Sequence, residues 1–186
     1  MRRASACISI LAALATAACA KEDASVRGHG LSVASLPAST QARVYEAAAR
    51  GSFDIDDPSL SLLLDGRLLP RGIGLASGGE LPDAVKSAMR RNGAVKGTCE
   101  PPLQGVVGTA HCKAALPGYV VRFSPVFQIA GDTVEVYLYA QKYDTPSSGI
   151  SETLRFERAY KIVGRGDRWH AVAEGSIPKE VRGEPR

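Results

Sequence analysis

The residues that could carry acid–base chemistry lie near the end of the chain, on two neighbouring polar–apolar runs. Glu157, Glu174 and His170 occupy polar positions of these runs. If the last turn is centred on 165–166, Glu157 faces Glu174 and Lys161 faces His170. Two opposed carboxylates repel, so the pKa of one would be raised, as a general acid requires. The simpler interpretation, which we favour, is a solvated face where neighbouring cations screen both carboxylates.

Three further polar side chains on that face are candidates for ligand binding. The predicted register places Tyr139 opposite Arg155 and Tyr137 opposite Glu157. Phenol and guanidinium groups at one sheet surface can donate hydrogen bonds to a polar ligand.

Arg158 breaks the alternation, because it falls among the apolar positions between Phe156 and Tyr160. A charge on the buried side needs a partner or a route to solvent. The sequence predicts that Arg158 reaches the sheet rim, meets a carboxylate such as Glu46, or anchors an anionic ligand.

No complete catalytic, cofactor or metal motif is present. Gly149-Ile150-Ser151 lacks the following glycine of a nucleophile elbow. His111 and Cys112 are adjacent, so they cannot easily join Cys99 around one ion, and no fourth ligand is evident. We expect no metal and no cofactor. The question of enzymatic activity stays open, and the interpretation favours a protein without it.

The cysteine count indicates one disulfide. Of the four cysteines, Cys7 lies in the opening apolar segment, and Cys19 ends it. In an oxidising compartment the remaining Cys99 and Cys112 are expected to pair. Closing a loop of that size contributes about 3 kcal/mol in chain-entropy terms.

The opening segment has the pattern of an export signal. Arg2 and Arg3 precede an apolar run over residues 8–17, which is too short to span a bilayer. Two interpretations stay open: cleavage after Ala20, or lipidation of Cys19. Thr16-Ala17-Ala18-Cys19 resembles a bacterial lipobox, although leucine usually occupies the place of Thr16. The resemblance implies an acyl anchor on Cys19, and Ala20 after it resembles the pattern sorted to an outer membrane.

The charge of the mature chain is close to balanced. The full chain has 23 Lys and Arg against 19 Asp and Glu, and loss of Arg2 and Arg3 leaves 21 against 19. No Lys/Arg block suits phosphate neutralisation along a nucleic acid, so we expect no such partner.

Periodicity predicts the elements that position these residues. Helices are expected over 39–50 and 82–92, each with an apolar stripe. Apolar runs around Asp65-Gly66 predict a short hairpin. Four alternating runs predict an antiparallel meander whose apolar face the two helices cover. The fold class is therefore α+β.

The expected organisation is a signal peptide at 1–18, a flexible tether at 19–37, a single α+β domain at 38–178 and a polar tail at 179–186. In element order alone, the domain resembles NTF2-like and cystatin-like families, and no motif transfers. The leading hypothesis is an exported, periplasmic, lipid-anchored module that binds or scaffolds an envelope partner. The alternatives are a small NTF2-like enzyme or ligand binder, and an inhibitor of a secreted hydrolase that uses the loop from Cys99 to Cys112.

Overall fold

The computed structural model of the chain describes residues 32–69, 79–99, 118–143 and 150–177, and for residues 143 and 150–156 it describes the backbone only. It contains two α-helices and an eight-stranded mixed sheet. In chain order the elements are β1 (Ser32–Val33), α1 (Ala38–Ser52), β2 (Ser61–Asp65), α2 (Asp83–Arg91), β3 (Gly97–Cys99), β4 (Gly118–Phe123), β5 (Phe127–Ala130), β6 (Thr133–Tyr143), β7 (Ile150–Arg165) and β8 (Arg168–Gly175).

The α+β class is confirmed, but the sheet is larger than a four-stranded antiparallel meander. Strand β6 pairs antiparallel with β7 along one edge, and with β5 and then β4 along the other. Strand β8 follows β7, while β1 pairs with β5. Residues 32–37, which the sequence assigns to a tether, therefore begin with a strand that joins the sheet.

The hairpin expected around Asp65-Gly66 is wrong. Strand β2 instead lies parallel to β3 on one side and to β4 on the other. The Asp65 carboxylate accepts a hydrogen bond from the Arg67 backbone N–H at 3.1 Å, which fixes the chain as it leaves β2. Helix α2 then provides the crossover that a parallel β2–β3 pair requires.

Both helices cover one face of the sheet with small apolar side chains. In α1 these include Val44, Ala47 and Ala48, and in α2 they include Val85 and Met89, all buried. The helical stripes expected from the sequence are confirmed.

The ends of α1 differ from the expected ones. The helix begins after Pro37 without a side-chain cap, and it continues through Gly51 to Ser52. A Cβ at Gly51 would lie only 2.7 Å from Cε1 of Tyr160, so this glycine permits close packing on β7 rather than ending the helix.

The other face of the sheet is also buried along the middle of β6. A second apolar cluster contains Phe127, Tyr137, Ala159 and Ile177, with Leu69 packed against it. Ile177 follows β8, so the end of the described chain returns across this face. The alternation on β6 is as expected, but the side chains on its polar side are buried there and not exposed to solvent.

No helix within the described ranges is long and apolar enough to cross a membrane.

We predict that Gly118→Ala destabilises the protein strongly. An added Cβ would lie 1.9 Å from the Ser61 carbonyl oxygen, so the paired backbones of β2 and β4 would have to separate. Overpacking of this kind costs about 2 kcal/mol in the free energy of unfolding, measured by urea denaturation followed by circular dichroism.

Gly97→Ala is the matched control. Its Cβ would approach only Cδ2 of Leu63, at 3.2 Å, and a leucine side chain can move. We expect a loss below about 1 kcal/mol. Equal losses for the two variants would contradict the close β2–β4 approach.

Candidate functional site

The structure separates the residues that the sequence offered as acid–base candidates. The turn between β7 and β8 is Gly166-Asp167, and β8 carries a bulge near Val172. Tyr160 therefore faces Glu174, and Val163 faces His170. The predicted Glu157–Glu174 and Lys161–His170 pairs are wrong, because the turn centre and the bulge shift the register.

Glu157 and Glu174 lie on opposite faces of the sheet. Glu157 pairs with Tyr139 on β6, whereas Glu174 shares the helix-side face with Tyr160. Because the bulge inserts one residue, it reverses the face on which the rest of β8 points. The two carboxylates cannot form a catalytic dyad in this arrangement.

The Arg158 side chain reaches solvent and forms an ion pair with a carboxylate. Its side chain is 45% exposed, and its Nε lies 2.5 Å from Oε1 of Glu174. The partner is not Glu46, whose Oε1 accepts a hydrogen bond from Nε of Arg50 at 3.2 Å.

Of the three candidate ligand-binding residues, Tyr137 is buried and Tyr139 is only partly exposed. Tyr137 is 1% exposed, and its hydroxyl donates to Oε1 of Glu135 at 2.7 Å. Tyr139 faces Glu157 rather than Arg155. The backbone of Arg155 lies opposite Gln141, two positions from the predicted register, and its side chain is outside the described residues.

Cys99 ends β3 and is buried. Its expected partner Cys112, the neighbouring His111 and the proposed lipidation site Cys19 lie outside the described residues. The Cys99–Cys112 pairing therefore stays a prediction, as does lipidation.

A polar groove lies at the carboxyl ends of the parallel strands β2 and β3, beside the first turns of α2. We call it the carboxyl-end groove, and its volume is about 460 Å³. Open sheets place ligands outside the carboxyl ends of their parallel strands. The groove is lined by Asp65, Gly66, Arg67, Glu80, Asp83, Lys86, Ser87, Arg90, Thr98 and Cys99.

The buried Asp65 carboxylate and Arg67 line one wall of this groove, and Asp65 also binds Arg122, which does not line the groove. The Asp65 side chain is 4% exposed, and those of Arg67 and Arg122 are each 26% exposed. Arg67 donates from Nε to Oδ1 at 3.0 Å and from Nη2 to Oδ2 at 2.7 Å. Arg122 donates to Oδ2 from Nε at 3.0 Å and also from Nη2.

The two arginines keep Asp65 ionised. Burial by itself raises the pKa of Asp65, but the Arg67 hydrogen bonds and the charge and hydrogen bonds of Arg122 outweigh burial and lower it. A carboxyl group with a lowered pKa is a poor general acid. Asp65 instead fixes the orientation of the guanidinium groups, which can recognise carboxylate or phosphate oxygens.

Helix α2 contributes two further cations to the groove. Lys86 is 20% exposed, and its Nζ lies 2.7 Å from Oδ1 of the exposed Asp83. Arg90 reaches Oγ of Ser87 at 3.4 Å. Acidic and basic groups therefore both line this groove, and the Arg67 guanidinium, held by the buried Asp65, is the best-fixed cation among them.

A second groove of about 500 Å³ lies between α1, the end of α2 and the β7–β8 hairpin. Arg43, Trp169 and His170 line it, so the structure places His170 away from both of the other acid–base candidates. Nη1 of Arg43 donates to the Asp167 carbonyl oxygen at 2.6 Å, which ties the helix to the turn.

Sequence reasoning missed the Asp65 cluster. Asp65 and Gly66 have the composition of a hairpin turn, and Arg122 occupies an ordinary polar position in an alternating run. The available signal was an aspartate that directly ends an apolar strand and stands two residues before an arginine.

No group of three or more His, Cys, Asp or Glu side chains that could hold a metal ion occurs among the described residues. Comparisons of the chain with known protein families, with curated proteins and with solved structures find no match. Functional inference therefore depends on the site itself.

We predict that Asp65→Asn lowers the free energy of unfolding by about 3 kcal/mol at neutral pH, because it leaves two partly buried cations without their shared counter-charge. The pKa of the folded carboxyl lies below its ordinary value of 3.8. Its stabilising effect is therefore present above pH 3.8 and is lost as the pH falls through the folded-state pKa. Urea denaturation of both proteins as a function of pH should show their difference shrinking in that range.

Asp83→Asn provides a matched control, because Asp83 also pairs with a cation but its side chain is 94% exposed. We expect no measurable loss of stability from this change. A pH-independent difference between Asp65→Asn and the unaltered protein would contradict the assigned role of Asp65.

Proposed function

We propose that this chain is an exported, lipid-anchored envelope protein that acts by binding, and that the carboxyl-end groove is its binding site. The proposed ligand carries an anionic group, either a carboxylate or a phosphate, on a partner molecule or a small ligand. One observation carries this proposal: Asp65, which also binds Arg122, fixes the guanidinium group of Arg67 in the lining of the groove.

The geometry of the cluster supports recognition of an anion. On Asp65, each guanidinium uses Nε and Nη2. Because Asp65 already orders both side chains, a ligand would lose less conformational entropy on binding.

The Asp65 carboxylate supports binding over acid–base catalysis, because two arginines hold it ionised. A general acid needs a pKa close to the working pH, whereas a guanidinium neighbour favours the charged carboxylate.

The proposed export of the protein and its membrane anchoring are inferred from the sequence. The basic start, the apolar run and the lipobox-like ending at Cys19 support passage across the inner membrane and acylation of that cysteine. Ala20 favours sorting to the outer membrane, so the domain would work on the periplasmic side, where a disulfide at Cys99 is stable.

The anion site can be tested by nuclear magnetic resonance, with inorganic phosphate as the probe. We expect saturable shifts of the Arg67 Nε–H signal and of the Gly66 and Thr98 amides, which belong to residues that line the groove. Arg67→Gln should weaken phosphate binding about tenfold or more, because charge-assisted hydrogen bonds contribute roughly 1.5–3 kcal/mol.

Arg91→Gln is the control, since Arg91 is an exposed residue at the end of α2 that does not line the groove. This variant should bind phosphate as the unaltered chain does. Shifts that do not saturate, or equal weakening by both substitutions, would refute the groove as an anion site.

Maturation has its own test, the intact mass of the protein extracted from membranes. We expect a chain that begins at Cys19 with a diacylglycerol group, and a mass lower by two protons than that of the reduced form. Cys19→Ser should release the protein into the soluble envelope fraction. A product that still begins at Met1 with free thiols would rule out export.

A further inference from the structure

We propose that the groove between α1, the end of α2 and the β7–β8 hairpin binds a neutral oligosaccharide, with one sugar ring stacked on Trp169. We call it the hairpin groove, and its volume is about 500 Å³. This volume lies within the range of about 300–1,000 Å³ that is usual for small-ligand sites. The hairpin groove shares no lining residue with the carboxyl-end groove, so it is a second site beyond the proposed function.

Trp169 is the largest apolar side chain of the groove, and its own sheet holds it in place. It lies opposite Gly164 on β7 and packs against the main core cluster. A Cβ at Gly164 would lie 3.0 Å from both Cη2 and Cζ2 of the indole, so the ring lies directly on this strand. The indole is still partly exposed and lines the groove. It therefore offers a rigid apolar surface at little cost in conformational entropy.

The charged groups around Trp169 are already paired with one another. Nη1 of Arg43 donates to the Asp167 carbonyl oxygen at 2.6 Å and lies 3.6 Å from Oδ1 of the same residue. Nη1 of Arg50 lies 2.7 Å from Oδ2 of Asp56, and its Nε lies 3.2 Å from Oε1 of Glu46. These pairs hold the side chains of α1 in fixed positions along the groove.

The charge of the groove is consequently balanced. Arg168 is its third arginine, so the three arginines stand beside three carboxylates when Asp56 is counted with the two that line the groove. An anionic ligand would be repelled by these carboxylates and would have to compete with them for the guanidinium groups. A neutral ligand can bind while the ion pairs stay intact.

The polar lining offers hydrogen-bond donors and acceptors together, which is what sugar hydroxyls require. Each hydroxyl both donates and accepts. The guanidinium groups of Arg43 and Arg50 donate, and the Glu46 carboxylate accepts. The Asn92 amide does both, as does the imidazole of His170 in its neutral form. A pyranose ring combines a hydroxyl edge with an apolar C–H face that can stack on an indole, so the groove matches it in both respects.

The test uses the fluorescence of Trp169, which is the single tryptophan of the chain and so reports on this groove alone. The full chain carrying Cys19→Ser, which needs no detergent, is titrated with maltotriose, cellotriose and chitotriose, three neutral trisaccharides that differ in linkage or substituents. We expect a saturable blue shift of the emission with at least one of them, because a stacked sugar displaces water from the indole. Inorganic phosphate should leave the emission unchanged.

Calorimetry with the sugar that binds then tests individual residues. Trp169→Leu should weaken binding about tenfold, because it removes the stacking surface. Asn92→Ala, at an exposed position after α2, leaves the indole in place and should weaken binding about fivefold. Tyr119→Leu is the matched control, since Tyr119 is a partly exposed aromatic residue on β4 that does not line the groove, and it should bind as the unaltered chain does.

Two results would overturn the proposal: no saturable shift with any of the three sugars, or equal affinity of the Asn92→Ala, Trp169→Leu and Tyr119→Leu variants. If Trp169→Leu does not fold, Asn92→Ala against Tyr119→Leu decides. A tryptophan response to adenosine monophosphate but to no sugar would indicate an anionic aromatic ligand and would also overturn it. The phosphate titration of the carboxyl-end groove follows other residues, so failure here and failure of the proposed function can be distinguished.

Discussion

The ionised carboxylate of Asp65 is the constraint on which the parallel part of the sheet and its groove both depend. A charge that is 3% exposed is tolerated only when cations donate to it. Arg67 comes from the turn after β2, whereas Arg122 comes from β4. One carboxylate therefore joins a turn to two neighbouring strands and fixes the Arg67 guanidinium at the groove. Stability and the proposed recognition of an anion use the same atoms.

Strand β6 sets the second constraint, because neighbours surround it on both edges and both faces. Its Val136 and Leu138 pack under the helices, while Glu135 and Tyr137 are buried on the other side. The polar residues there are internal hydrogen-bonding groups rather than a solvated ligand surface.

Most ion pairs within the described residues join a carboxylate to a guanidinium group. Asp65 lies between Arg67 and Arg122, Glu174 contacts Arg158, and Arg50 contacts both Glu46 and Asp56. The two arginines on Asp65 lower its pKa, which opposes its use as a general acid near neutral pH. Such pairs also hold arginine side chains in fixed orientations, which suits the binding of external anions. This is the physical basis for preferring a binding role.

The sequence by itself determined the local features: two helices with their buried stripes, the α+β class and the alternation along β6. These depend on periodicities within a few residues. Only the tertiary structure decided the parallel pairing of β2, the register beyond the bulge near Val172 and the meeting of Asp65 with Arg122, 57 positions away. Alternation marks which side of a strand is apolar, but it does not specify the neighbouring strand. That choice depends on long-range packing and on where a buried charge can find its partners.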